Sequence, residues 1–160
     1  GDGAFPACRK ALVESDVFEA MIEAVLECGR PFLGICVGMQ MMAQKGFEYE
    51  ATSGLGWIDG EIHKIKPNET ALKIPHMGWN TIDVSKSHKV LEGLDGESVY
   101  FVHSYAFRPD DISNCLATTT HGASFASVVG HNNVIGTQFH PEKSQHVGLR
   151  LIKNFLEWRP

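Results

Sequence analysis

Pro31-Phe32-Leu33-Gly34-Ile35-Cys36-Val37-Gly38-Met39-Gln40-Met41-Met42-Ala43 is the stretch on which the fold turns. Its first half is a short apolar run entered through a proline, which suits a buried strand. Its second half, from Val37 onward, suits a helix that follows at once. Upstream, Phe18, Met21, Ile22, Val25 and Leu26 recur at helical spacing and predict a helix over 15–28 with one apolar face. Asp16 and Glu19 read as its capping box and Gly29 as its stop. Helix, buried strand, helix is the pattern of an α/β domain with parallel strands.

At the joint, Gly34-Ile35-Cys36-Val37-Gly38 has the form of the nucleophile elbow G-x-S-x-G, with cysteine in place of serine. A sharp strand-to-helix turn crowds the backbone, so small flanking residues are expected. The turn also sets the sulfur at a helix N-terminus, where the dipole favours the reactive thiolate. The same residues fit a buried cysteine in a glycine-flanked turn.

Further along, Ile62 to Ile65 and Ala71 to Ile74 read as a small antiparallel hairpin, and Ser98 to Tyr105 and Ser124 to Val129 as strands. Gly130 to Asn133 is a turn cluster, and Val134 to Phe139 a last buried strand. From Ser144, the candidate N-cap, a helix carries Val147, Leu151, Phe155 and Trp158 on one face. His140-Pro141-Glu142 leaves the last strand. Residues two apart in an extended chain share a side, and Pro141 is expected to keep the stretch extended. Glu142 can then orient the His140 imidazole, completing a nucleophile, base and orienter set with Cys36. By itself His-Pro-Glu equally fits a solvated strand end.

Gly1-Asp2-Gly3 can shape a loop whose amides, with the Val37 N–H, face a developing oxyanion. A flexible chain end is the competing reading. A Trp79 beside Gly78 and Asn80 in a loop-like setting is costly to leave exposed and suits an interface, or else the domain's own core.

The bulk numbers narrow the field. The formal net charge of −5 argues against non-specific nucleic-acid binding, which needs a basic footprint. No apolar run is long enough to cross a bilayer, and the first ten residues lack a signal peptide's apolar region. The four cysteines, Cys8, Cys28, Cys36 and Cys115, fit neither a metal site nor a dense disulfide framework, so a reducing, cytoplasmic setting is expected. Cys36, His103 and His140 are too scattered for a ligand-spacing motif, so no metal is expected. His63, His88, His121, His131 and His146 read as surface or structural.

Gly34 to Gln40 resembles the nucleophile motif of class I glutamine amidotransferases, and Gln138 to Glu142 resembles their His-Pro-Glu motif. Gly1-Asp2-Gly3 resembles the end of their oxyanion strand. Within that family, Pro75-His76-Met77-Gly78-Trp79-Asn80, Tyr100 to Tyr105 and Glu142-Lys143-Ser144-Gln145 resemble the glutaminase subunits of imidazole glycerol phosphate synthases. The resemblance runs the length of the chain and makes residues 1–160 one domain. It implies an open, mostly parallel sheet flanked by helices with a small antiparallel sheet, flavodoxin-like. It also implies a strand-helix-strand ahead of Gly1 that the sequence does not contain.

The resemblance implies a triad of Cys36, His140 and Glu142, and an oxyanion hole from Gly1, Asp2, Gly3 and Val37. It places glutamine contacts at Gln40, Ser104 and Tyr105. His76, Met77, Trp79, Asn80 and Lys143 would face a (β/α)8-barrel synthase subunit in a heterodimer, with no cofactor. Two other readings compete. One keeps the triad but serves an anthranilate, aminodeoxychorismate or guanylate system, and the motif at 75–80 and Lys143-Ser144-Gln145 argue against it. The other is a non-catalytic binding subunit, against which the intact Cys36, His140 and Glu142 speak.

Overall fold

The computed structural model describes residues 2–66 and 72–160. Its elements run in the order α1 (Phe5–Val13), α2 (Phe18–Ile22), a π-helical turn (Glu23–Glu27), β1 (Phe32–Ile35) and α3 (Val37–Gln40). Then come β2 (Lys45–Gly46), β3 (Thr52–Ser53), β4 (Gly60–Lys64), β5 (His76–Thr81) and β6 (Asp83–Val84). The second half holds β7 (Ser98–His103), β8 (Tyr105–Pro109), β9 (Cys115–Thr120), β10 (Ser124–His131), β11 (Val134–Thr137) and α4 (Gln145–Glu157).

The main sheet has the order β1-β11-β10-β9-β6. Its β1 and β11 pair in parallel, Phe32 opposite Val134 through Ile35 opposite Thr137, while β10 and β9 extend it antiparallel. The parallel pair matters for function, because it ends Cys36 and His140 at the same sheet edge. Helix α4 packs Val147 and Leu151 against Phe139, Ile135 and Val128 in one core. On the other side Met39 and Met42 join Phe5, Val129 and Val134 in a second. A further sheet, β3-β2-β4-β8, and a ribbon of β5 with β7 complete the fold.

Several expected elements changed. The helix over 15–28 is broken into α2 and a π turn, and its N-cap is Val17 with no side-chain bond, so the Asp16/Glu19 capping box does not form. Gly29 does end it, with φ +63. Helix α1 was not foreseen, although Pro6 stands at its first turn. Ala71 lies outside the described residues, and Leu72 to Ile74 are not strand. β4 pairs instead with β8, antiparallel from Gly60 opposite Pro109 to Lys64 opposite Tyr105, and with β2 in parallel. The predicted strand over 98–105 divides at Ser104 into β7 and β8, and each half joins a different sheet. Ser144 caps α4 by position, but its hydroxyl donates to His140 O at 2.7 Å and accepts from Tyr100 N at 3.0 Å, rather than serving the helix.

Candidate active site

Cys36 sits where β1 turns into α3, with φ +51 and ψ −111. A non-glycine residue there is strained, and such strain persists only where the surroundings enforce it. The enforcing contacts are visible. Cys36 N donates to Thr137 O at 2.8 Å, and Gln40 N donates back to Cys36 O at 3.0 Å. Gly34 is crowded as expected, since an added Cβ would lie 2.7 Å from Gly38 O. Gly38 is not, because a Cβ there would meet nothing within 4 Å. The crowding is thus one-sided, with α3 folding back over β1.

The sulfur is buried, and this corrects the expectation of a thiolate. Burial pushes the Cys36 thiol up to about 11, although the Val37 N–H pulls it down. Helix α3 is a single turn, too short for a dipole that offsets desolvation. Cys36 therefore rests as a neutral thiol, and acting as a nucleophile would require a base. Its sulfur touches Gln138 Nε2 at 3.6 Å and Val102 O at 4.0 Å.

His140 follows the end of β11, beside the Cys36 elbow at the end of β1. Its Nδ1 bonds Glu142 Oε1 at 2.6 Å, while its Nε2 is buried with no hydrogen-bond partner among the described residues. A buried ring nitrogen left open is costly unless something arrives to use it. The Nδ1 contact with a carboxylate makes Nε2 the acceptor. Partial burial raises the Glu142 carboxyl, but the bond from His140, its own amide and nearby Lys143 outweigh this and hold it below the ordinary carboxylate range. Pro141 does not keep the chain extended. Pro141–Lys143 is a 3-10 turn, and proline's fixed φ suits that first turn. The turn still brings Glu142 to His140. The main chain of His140 is tied to β7, with His140 N donating to Tyr100 O at 2.9 Å.

A small cavity of about 100 Å³ opens onto Cys36, lined by Asp2, Gly3, Val37, Gln40, Glu48 and the 102–105 segment. Asp2, Gly3, Val37, Gln40, Ser104 and Tyr105 thus line one cavity; Gly1 lies outside the described residues. Gly3 has φ +126, a conformation that glycine permits. Gln40 Nε2 donates to Tyr105 O at 3.1 Å, so two of the residues expected to hold substrate are joined to each other. Glu48 was missed. Its carboxylate accepts from Phe5 N at 2.7 Å and lines the cavity, placing a negative group where an ammonium can dock.

Strand β5 corrects the loop-like reading of 75–80. Its alternation leaves Met77 62% and Trp79 51% exposed, while His76 is buried. His76 faces inward, not toward a partner: it stacks on Phe101 and His121 and bonds His103 Nε2 at 3.0 Å. Asn80 is held by His76 Nε2 and Thr120 O. Trp79 packs edge-on against Tyr100, and Lys143 lies 5.8 Å over that ring, so the outward patch includes Tyr100 and Lys143.

The sequence profile of the family "Glutamine amidotransferase class-I" matches residues 11–158. The chain is 54% identical over its whole length to "Imidazole glycerol phosphate synthase subunit HisH" of Cereibacter sphaeroides, covering 76% of that protein. It is 53% identical to the protein of the same name from Rhodospirillum rubrum, again over the whole chain and 76% of the relative. Among solved structures, one described as a glutamine amidotransferase superposes with a TM-score of 0.68 at 22% identity, over 97% of this chain and 74% of that one, and shows the shared fold.

Proposed function

This chain belongs to the class I glutamine amidotransferase family, and from that premise we infer how its site works. The protein is a glutaminase, the glutamine-hydrolysing subunit of an imidazole glycerol phosphate synthase in histidine biosynthesis, and it serves a synthase partner subunit. The observation that carries the mechanism is the strained Cys36 at the end of β1, beside an open, Glu142-oriented His140 at the end of β11.

Glutamine enters the cavity over Cys36 with its ammonium toward Glu48 and its amino-acid end along Gln40, Ser104 and Tyr105. His140 Nε2 takes the thiol proton as the sulfur forms a bond to the amide carbon. The oxyanion is held by Val37 N–H and the loop at Asp2 and Gly3. His140 returns its proton to the amide nitrogen, the C–N bond breaks, and ammonia leaves. Protonation is required because an amide anion is a poor leaving group. Water then attacks the γ-glutamyl thioester, giving its proton to His140, and glutamate departs as the sulfur regains a proton. Glu142 keeps the imidazole oriented and stabilises its charged form.

The exposed patch of Met77, Trp79 and Lys143 docks a (β/α)8-barrel subunit, forming a heterodimer in the cytoplasm. It backs onto β7, whose Tyr100 carbonyl holds the His140 main chain, so ammonia is released close to that contact. An electrophilic glutamine analogue followed by peptide mass spectrometry tests the reading. Modification at Cys36, blocked by glutamine, is expected. Modification at Cys8, Cys28 or Cys115 with Cys36 untouched would overturn it.

A further inference from the structure

One fully buried residue between the nucleophile and Gln40 has no part in the triad or the oxyanion loop. Gln138 is 0% exposed. Its side-chain orientation is forced by its neighbours. The Tyr105 carbonyl accepts from His103 Nδ1 at 2.8 Å and from Gln40 Nε2 at 3.1 Å, and a reversed Gln40 amide would set its oxygen against that carbonyl. The same Nε2 donates its other N–H to Gln138 Oε1 at 3.0 Å. A reversed Gln138 amide would set two NH₂ groups against each other. The amide therefore presents its NH₂ to Cys36 Sγ, at 3.6 Å. The backbone holds it there, since Gln138 N donates to Ser127 O at 2.8 Å and the adjoining Thr137 O accepts from Cys36 N at 2.8 Å.

We propose that Gln138 is a further catalytic residue of the glutaminase reaction, its side-chain N–H stabilising the Cys36 sulfur as the proton leaves while its carbonyl holds Gln40 to the substrate. The proposal rests on Cys36 being the nucleophile. In the step concerned the S–H bond breaks, the proton goes to His140 Nε2, and the electron pair on sulfur forms the new bond to carbon. A hydrogen bond to an anion is about twice as strong as one to a neutral group, so the contact favours the developing thiolate over the resting thiol. The opposing influence is large, because burial drives the thiol up to about 11. One side chain thus joins the group that reacts to the group that holds the substrate, which couples glutamine binding to thiol activation.

The test is mixed-disulfide formation at Cys36 with a small aliphatic disulfide, read on the Cys36 peptide by mass spectrometry, in the intact protein with and without its synthase subunit. Gln138→Met removes the donor without adding charge. Losing a charge-assisted bond raises the thiol pKa by about one to two units, and higher intrinsic nucleophilicity recovers part of the lost thiolate. The expected net fall in rate at pH 7.5 is about three- to fifteenfold, with kcat for glutamine hydrolysis falling and KM rising as Gln40 loses its partner. Gln138→Glu, placing a carboxylate beside the sulfur, slows Cys36 further. A lower melting temperature with an unchanged Cys36 rate would overturn the proposal. Should Gln138→Met fail to fold, Gln138→Asn, which keeps the amide but withdraws it from the sulfur, gives the same reading. In the wild-type protein the Gln138 side-chain N–H resonance shifts when Cys36 is modified, and its constancy would count against the contact. Labelling of wild-type Cys36 by the glutamine analogue separates the outcomes. Without it the nucleophile assignment fails; with it, an unaffected Gln138→Met refutes only the role of Gln138.

Discussion

Replacing Gly34 with alanine probes the elbow where it is tightest. The added Cβ would lie 2.7 Å from Gly38 O and 2.8 Å from both Gly38 C and Met39 N. Carbon–oxygen contacts rest at about 3.3 Å or more, so α3 must retreat from β1 by about half an ångström. The obstacle is backbone, which no side-chain rotation relieves. Overpacking of this kind costs about 1–3 kcal/mol. The displaced atoms include the turn that carries Cys36, and a shift of about 1 Å at a reacting group costs about a hundredfold in rate. Gly34→Ala is therefore expected to lower unfolding stability by about 1–3 kcal/mol and kcat/KM for glutamine by about ten- to a hundredfold. Gly38→Ala is the comparison, since its Cβ enters open space within α3. It is expected to keep stability or raise it by up to about 1 kcal/mol. Urea unfolding of both variants reads the difference. Gly34→Ala with wild-type stability and turnover, or Gly38→Ala as the more damaging to stability, would refute the one-sided packing of the elbow.

Burial lowers His76 to about 4 and His103 to about 3, against an ordinary 6.5, so both are neutral in the folded protein. Their contribution to stability is complete above about pH 7.5 and is lost as pH falls through 6.5 toward 4, because the unfolded chain binds the extra protons. Urea midpoints should show a loss of about 2–4 kcal/mol by pH 5, and a flat profile would contradict the buried pair. Trp79→Ala, at an exposed position, should weaken capture by the synthase subunit tenfold or more, on the order of an interface hot spot, with the melting temperature unchanged. Equal capture in a pull-down would remove Trp79 from the contact. Ser144→Ala takes the partner from the Tyr100 amide and leaves the His140 carbonyl with Lys143 N alone, and should cost about 1–3 kcal/mol in urea while lowering kcat. An unaltered kcat would mean that His140 is positioned without it.

What was legible in the sequence was local chemistry. Gly34, Cys36 and the apolar approach from Phe32 declare a strand that turns into a helix, and the structure repeats that reading and adds a strained φ at Cys36. His140 and Glu142 were legible as a pair because they lie two positions apart, although a 3-10 turn rather than an extended chain makes the contact. What failed needed distant partners. Nothing near Glu48 marks it as lining the cavity, since the Phe5 amide fixes it from 43 residues away. His76 and Trp79 share a motif, but only the pairing of β5 with β7 decides that one faces inward and the other outward. The thiol's state was misjudged because the helix dipole is visible in a sequence whereas the burial that outweighs it is not.

Glutamate release from glutamine, measured with and without the synthase subunit beside a Cys36→Ser control, tests the central claim most directly. Release that rises when the partner is present, and vanishes in the control, is the predicted result. Release that persists in Cys36→Ser would contradict the assignment of Cys36 as the nucleophile.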